Sequence, residues 1–157
     1  MSAGAPTGDL ALVVTLGARS YAIPLKHVAE IMRPLAVEPM SGAPDFVRGL
    51  SVLRGAPVPV IDLEAILKHE SSSGEPGRFV AVRLDGRQAV IGVDGVAGVT
   101  TLDPAELGRL PPILSGVATD VIDAIGSRDA QLLIVLRAAR LIPAAGETAL
   151  VPNGALA

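Results

Sequence analysis

The apolar positions of this chain fall into short runs stopped by glycine, proline or a charged pair, the rhythm of strands joined by tight turns. Leu10-Ala-Leu-Val-Val-Thr-Leu16 is apolar and β-branched, Gly17-Ala18 interrupts it, and Arg19-Ser-Tyr-Ala-Ile23 returns, which predicts a hairpin. Pro24 suits the first turn of a helix. Leu25, Val28, Ala29 and Met32 then recur at i, i+3, i+4 and i+7, which predicts a short amphipathic helix ending at Pro34. Val47 to Leu53 and Ala56 to Ile61 read as two strands around Arg54-Gly55. Pro57 and Pro59 have no N–H to give to a ladder, so the pattern places the second of these strands at a sheet edge or barrel rim. Asp62 stands as the N-cap of a short helix with the apolar stripe Leu63, Ile66 and Leu67.

After a polar connector, Lys68 to Gly77, the pattern starts again. Leu12 to Ile31 set against Val80 to Val99, an offset of 68, gives six identities in 20 positions: Val14/Val82, Leu16/Leu84, Arg19/Arg87, Ile23/Ile91, Val28/Val96 and Ala29/Ala97. Gly17-Ala18 falls on Asp85-Gly86, a strong hairpin signal. Towards the end of each half the offset is 75, and Val60 to Leu67 lies against Val135 to Ile142. The reading is a structural duplication: two similar five-stranded units, each curled into a small barrel to remove its edges. Residues 1–8 read as a disordered arm and 144–157 as a C-terminal tail around a single domain over 9–143. Its subdomains are placed at 24–77 with flanking strands and at 78–143.

Composition narrows the function. The 157 residues are 50% hydrophobic, with only Tyr21, Phe46 and Phe79 aromatic and no cysteine. That suffices for one domain and excludes disulfides and thiolate metal sites. Thirteen Lys and Arg against 16 Asp and Glu leave a net charge of -3, so no broad basic field attracts nucleic acid. Mean hydropathy is high, +0.51. No apolar run nevertheless approaches the roughly 20 residues that span a bilayer, and the N-terminus has no secretory pattern, so a cytoplasmic protein is expected.

Candidate catalytic groups do not converge. His27 and His69 have no second ligand at metal spacing, and no nucleophile elbow surrounds Ser71 to Ser73. The glycines of Gly92-Val-Asp-Gly95-Val-Ala-Gly98 sit in β-like sequence and read as a bulge or bend rather than a phosphate loop. No metal, no cofactor and no enzymatic activity are expected, and a protein-binding surface is. Arg54 projects a five-donor fork from a turn, aimed either at a partner's carboxylate or carbonyls or at Glu30 or Asp62 of the same chain.

The segment Ala43-Pro44, Phe46-Val-Arg-Gly49, Leu53-Arg-Gly55 and Val58-Pro-Val-Ile-Asp-Leu63 resembles the pattern of the chemotaxis coupling-protein (CheW-like) family. Tyr21 to Ile31 is similar to the family's strand and helix-like turn, and Ala89 to Val99 to its second-half glycine and Val-Asp segment. The resemblance spans about residues 9 to 143. It implies a mainly β fold of two SH3-like five-stranded β-barrel subdomains with short helices. It also implies a non-enzymatic adaptor that couples chemoreceptor cytoplasmic tips to the regulatory domain of a CheA-type histidine kinase. Such an adaptor is cytoplasmic and recruited to membrane-associated receptor arrays, with no membrane insertion and no nucleic acid.

By position, the resemblance implies a receptor- or kinase-facing groove at Val28, Glu30, Ile31, Gly49 and Arg54, with Gly49 permitting close backbone approach, and a kinase contact at Val93, Asp94 and Val96. Two departures stand out: Val52 where the family has Asn, and Arg137 where it has Asp. They point to a divergent coupling protein, one serving an output such as surface motility or development. The alternative reading, a small-ligand or second-messenger-binding β-barrel regulator, rests on Arg48, Arg54 and the nearby glycines.

Overall fold

The hairpins form where glycine or a left-handed residue relieves the turn. In the computed structural model, which describes residues 9–67, 75–109 and 121–143, β1 (Asp9–Leu16) and β2 (Arg19–Pro24) close at Leu16↔Arg19. Likewise β6 (Arg78–Leu84) and β7 (Arg87–Val93) close at Leu84↔Arg87. β4 (Val47–Leu53) and β5 (Ala56–Ile61) turn through Arg54 at φ 51 and Gly55 at φ 82. β9 (Ile122–Arg128) and β10 (Gln131–Leu136) turn through Asp129 at φ 52 and Ala130 at φ 64. Positive φ at both central residues is the two-residue turn whose twist matches its strands. β3 (Val28–Met32), β8 (Gly95–Leu102) and two four-residue helices, α1 (Leu63–Ile66) and α2 (Ala138–Leu141), complete the elements. The arm, the tail and residues 68–74 of the connector, with His69 and the serine run, lie outside the described residues.

Two five-stranded sheets result, in the orders β8-β1-β2-β10-β9 and β3-β6-β7-β5-β4. Each therefore takes strands from both halves of the sequence. The offsets become registers: Val28↔Val82 corresponds to Val96↔Val14, and the parallel pair Val60↔Val90 to Val135↔Ala22. Even the irregularities repeat. A bulge at Ala29, between Val28↔Val82 and Glu30↔Ala81, matches one at Ala97, between Val96↔Val14 and Gly98↔Val13. A second bulge, at Arg48, matches one at Asp123.

Burial follows the same symmetry. Ala11, Val13, Ala22, Leu133 and Val135 fill the concave side of one sheet, and Phe79, Ala81, Val90, Val58 and Val60 fill the other. A larger aliphatic core between the sheets gathers residues such as Leu12, Val14, Ile23, Ile61, Leu63, Val80, Ile91, Leu136 and Leu141. At about 1.5–3 kcal/mol for each fully buried large aliphatic side chain, this shared layer binds the sheets together.

Three expectations change. The sheets are curled but not closed barrels, because no ladder joins the outer strands β3 and β4 or β8 and β9. The helix expected from Leu25 to Met32 is a single 3-10 turn, Leu25–His27, followed by strand β3. Its bulge shifts the strand's alternation by one residue, which imitates a helical spacing, and pairing with β6 overrides the local propensity. Finally, β5 is not an edge strand but lies between β7 and β4. Both backbone groups of Leu50 are bonded to Glu38 on the far side, so Pro59 opposite Leu50 turns its nitrogen towards β7. There the parallel ladder is confined to Val60 and Ile61, and no proline is asked to donate.

Candidate docking surface

The bulge at Ala29 decides which way β3 presents its side chains. Val28 pairs with Val82 and Ile31 with Val80, both on the shared-core side, whereas Glu30 pairs with Ala81 and turns to the concave side. Without the extra residue, Val28 and Glu30 would share a face. From the opposite outer strand, the turn after β4 carries Arg54 to the same seam. Arg54 Nε donates to Glu30 Oε1 at 3.0 Å and Nη2 donates to Oε2 at 3.0 Å. The fork is bidentate, with Arg54 76% and Glu30 29% exposed, and Glu30 pushes the guanidinium pKa further up, so Arg54 stays charged. Arg54 thus bonds Glu30, one of the candidates open from the sequence. Ile31 and Val52 stand exposed on the adjoining outer strands.

Gly49 sits at the Arg48 bulge at φ 151. A Cβ there would fall 2.1 Å from the Glu38 carbonyl oxygen. The close approach that Gly49 permits is thus one within the chain. Glu38 and Leu50 exchange two backbone hydrogen bonds, of 2.8 and 2.9 Å, and Ser51 Oγ donates to the Ala36 carbonyl at 2.7 Å. Together these fix the segment between β3 and β4 along the outer edge of the sheet.

The second-half candidates are placed differently. Val93 is fully buried in the shared core and Val96 packs against it. Asp94 accepts a hydrogen bond from the Gly17 N–H at 2.6 Å, and its own N–H donates to the Thr15 carbonyl, which ties the β7–β8 corner to the first hairpin. Sequence reasoning missed two ion pairs at equivalent places. Arg48 reaches Asp62 at 3.6 Å, and Asp123 reaches Arg137 at 3.2 Å, the same pairing with its charges exchanged. The change to Arg137 is thus matched by Asp123. Its price is a cap: Asp62 Oδ1 accepts from Ala65 N at the start of α1, whereas Arg137 gives α2 none. Reading Arg48 and Asp62 against Asp123 and Arg137 at the offset of 75 was the available signal.

Each pair lines an open cleft, of about 720 Å³ beside Phe79 and Leu35 and about 690 Å³ beside Leu102 and Leu107. Arg48 and Arg54, on which the small-ligand reading rested, are both engaged by carboxylates of the chain itself. Among the described residues no His, Asp and Glu cluster has metal-binding geometry, and no helix is long and apolar enough to cross a membrane.

Two curled sheets with exchanged strands around a common aliphatic core, and an ion-paired seam flanked by exposed aliphatics, define a protein-binding β module. The chain belongs to the CheW-like domain family of chemotaxis coupling adaptors: the CheW-like domain model matches residues 10–146. It is 32% identical over 152 residues to the chemotaxis protein CheW of Klebsiella aerogenes, covering 96% of this chain and 91% of that protein. It is 30% identical over 114 residues to the protein FrzA of Myxococcus xanthus, covering 69% of this chain and 70% of that one. The crystal structure of the scaffolding protein TtCheW from Thermoanaerobacter tengcongensis superposes with a TM-score of 0.79 at 25% identity, over 93% of this chain and 96% of that one.

Proposed function

We propose that this adaptor is non-enzymatic and cytoplasmic, and that it joins the cytoplasmic tips of chemoreceptors to the regulatory domain of a CheA-type histidine kinase in membrane-associated arrays. The observation that carries the reading is the seam at Glu30 and Arg54, with Ile31 and Val52 exposed beside it. An apolar surface with one oriented charge pair suits a helical or strand-like partner segment, where packing supplies affinity and the charges set register. Val28, Glu30, Ile31 and Arg54 form the partner-facing surface, and Gly49 shapes it from behind. Asp94 and Val96 support the second-half contact by holding the β7–β8 corner.

The test is a pull-down of the cognate receptor signalling tip and kinase regulatory domain with wild type and Arg54→Ala. Wild type captures both, and the variant loses one while its melting curve is retained. Failure of wild type to bind either overturns the adaptor reading, and unchanged capture by the variant removes Arg54 from the surface.

A further inference from the structure

The registers that equate the two sheets expose a difference between their seams. Glu30↔Ala81 corresponds to Gly98↔Val13, so Gly98 of β8 stands where the other sheet has its carboxylate. Leu53↔Ala56 corresponds to Arg128↔Gln131, so Asp129 stands where the other sheet has Arg54. The latch is missing, yet a guanidinium is present one residue earlier. Arg128 occupies the place of Leu53, whose side chain fills the concave core of its own sheet. Its position is the mouth of the equivalent hollow. A Cβ on Gly98, which has φ 139, would lie 3.9 Å from Arg128 Nη2, so the end of β9 reaches over bare backbone of β8.

The ion pair Arg128 makes is a loose one, 3.8 Å to the neighbouring Asp129, whose side chain is 85% exposed. Such a contact contributes little and engages a small part of a five-donor fork. Val99, next to Gly98, and Leu132, at the start of β10, are large exposed apolar side chains. The other seam shows what fits an arginine in this setting: a carboxylate held bidentately at 3.0 Å on an outer strand.

We propose that Arg128 is a docking residue for a carboxylate supplied by a protein partner. An acidic side chain flanked by aliphatic residues enters the second seam over Gly98. There it receives from Arg128 the pairing that Glu30 receives from Arg54, while its apolar neighbours cover Val99 and Leu132. The glycine is what leaves the place open: a side chain at position 98 stands in the path of the incoming carboxylate. The inference rests on the adaptor reading, which supplies the partners.

The experiment is isothermal titration of the full chain as wild type, Arg128→Gln and Arg128→Lys. The probes are the cognate receptor signalling tip and, separately, the cognate kinase regulatory domain, at low and at moderate salt. Arg128→Gln weakens one of the two about tenfold or more at low salt and leaves the other unchanged, as expected for loss of a charge-assisted contact. Arg128→Lys falls between, because it keeps the charge without the fork. Added salt narrows the gap between wild type and Arg128→Gln. Wild-type affinity of Arg128→Gln for both probes, or an equal loss for both, overturns the inference with the adaptor reading intact. Failure of wild type to bind either probe overturns both.

Discussion

Gly49 offers a sharp quantitative test, because its role is fixed by backbone rather than by a movable side chain. In Gly49→Ala the new Cβ meets the Glu38 carbonyl oxygen at 2.1 Å, its carbon at 2.7 Å and Pro39 Cα at 2.9 Å, so the chain at Glu38 must move away. Both hydrogen bonds between Glu38 and Leu50 go with it. Two backbone bonds at about 0.5–1.5 kcal/mol each, with about 1 kcal/mol for a Cβ at φ 151, give a loss of about 2–4 kcal/mol. For a domain of this size that lowers the melting temperature by about 4 to 16 °C. Gly55→Ala is the internal control: its φ is 82, but a Cβ there meets nothing within 4 Å. It loses only the conformational term, about 1 kcal/mol or about 2–4 °C. Thermal melting followed by far-UV circular dichroism reads both variants. Equal melting of the two, or a Gly49→Ala curve on top of wild type, would refute the argument that Glu38 packs on bare backbone.

Three further outcomes are expected. Arg137→Asp sets a carboxylate against Asp123 and lowers stability by about 0.5–1 kcal/mol in urea, and adding Asp123→Arg restores it by rebuilding the Arg48–Asp62 arrangement, cap included. No recovery in the double variant refutes the equivalence of the two pairs. Tyr21, the sole tyrosine, is buried and its phenol pKa is raised by that burial, so phenolate absorbance at 295 nm appears above the ordinary phenol value of 10.0 in the native state and returns to it in denaturant. Because the folded pKa is raised, Tyr21 costs no stability below that value, and stability falls as pH rises from there through the native pKa; Tyr21→Phe removes this part of the alkaline loss. Ala130→Gly relieves a left-handed alanine in the β9–β10 turn and raises stability by about 0.5–1 kcal/mol in the same urea assay, and no gain refutes strain at that turn.

Local chemistry made much of this legible. The turns at Gly17-Ala18, Arg54-Gly55 and Asp85-Gly86 each carry a glycine that takes up positive φ, and the offsets of 68 and 75 reappear as strand registers. What stayed hidden is non-local. Nothing in Val28 to Met32 says that their partner is β6, about 50 residues away, so a helical spacing looked equally good. The prolines of β5 report correctly that no N–H is given, but not that a short parallel ladder leaves room for them inside a sheet. At the candidate surface, Arg54 was visible as a fork on a turn. Its choice of Glu30, with Asp62 going to Arg48, depends on how far the sheet curls, which no single strand encodes.

The exchange of strands between halves also governs how the protein can be made. When a ribosome has released the chain as far as Leu67, the β1–β2 hairpin lacks both flanking neighbours, β8 and β10, and β3 and β5 await β6 and β7. The β3-β6-β7-β5-β4 sheet has all its strands once Val93 is out, but the other sheet cannot be completed until the last strand, β10, has left the exit tunnel, so the β1–β2 hairpin displays open edges and aliphatic faces for the time needed to synthesise about 70 more residues. Folding of the whole module therefore waits for the second half of the chain. A truncated transcript yields an aggregation-prone fragment rather than a working half, and the cell receives either the whole adaptor or none.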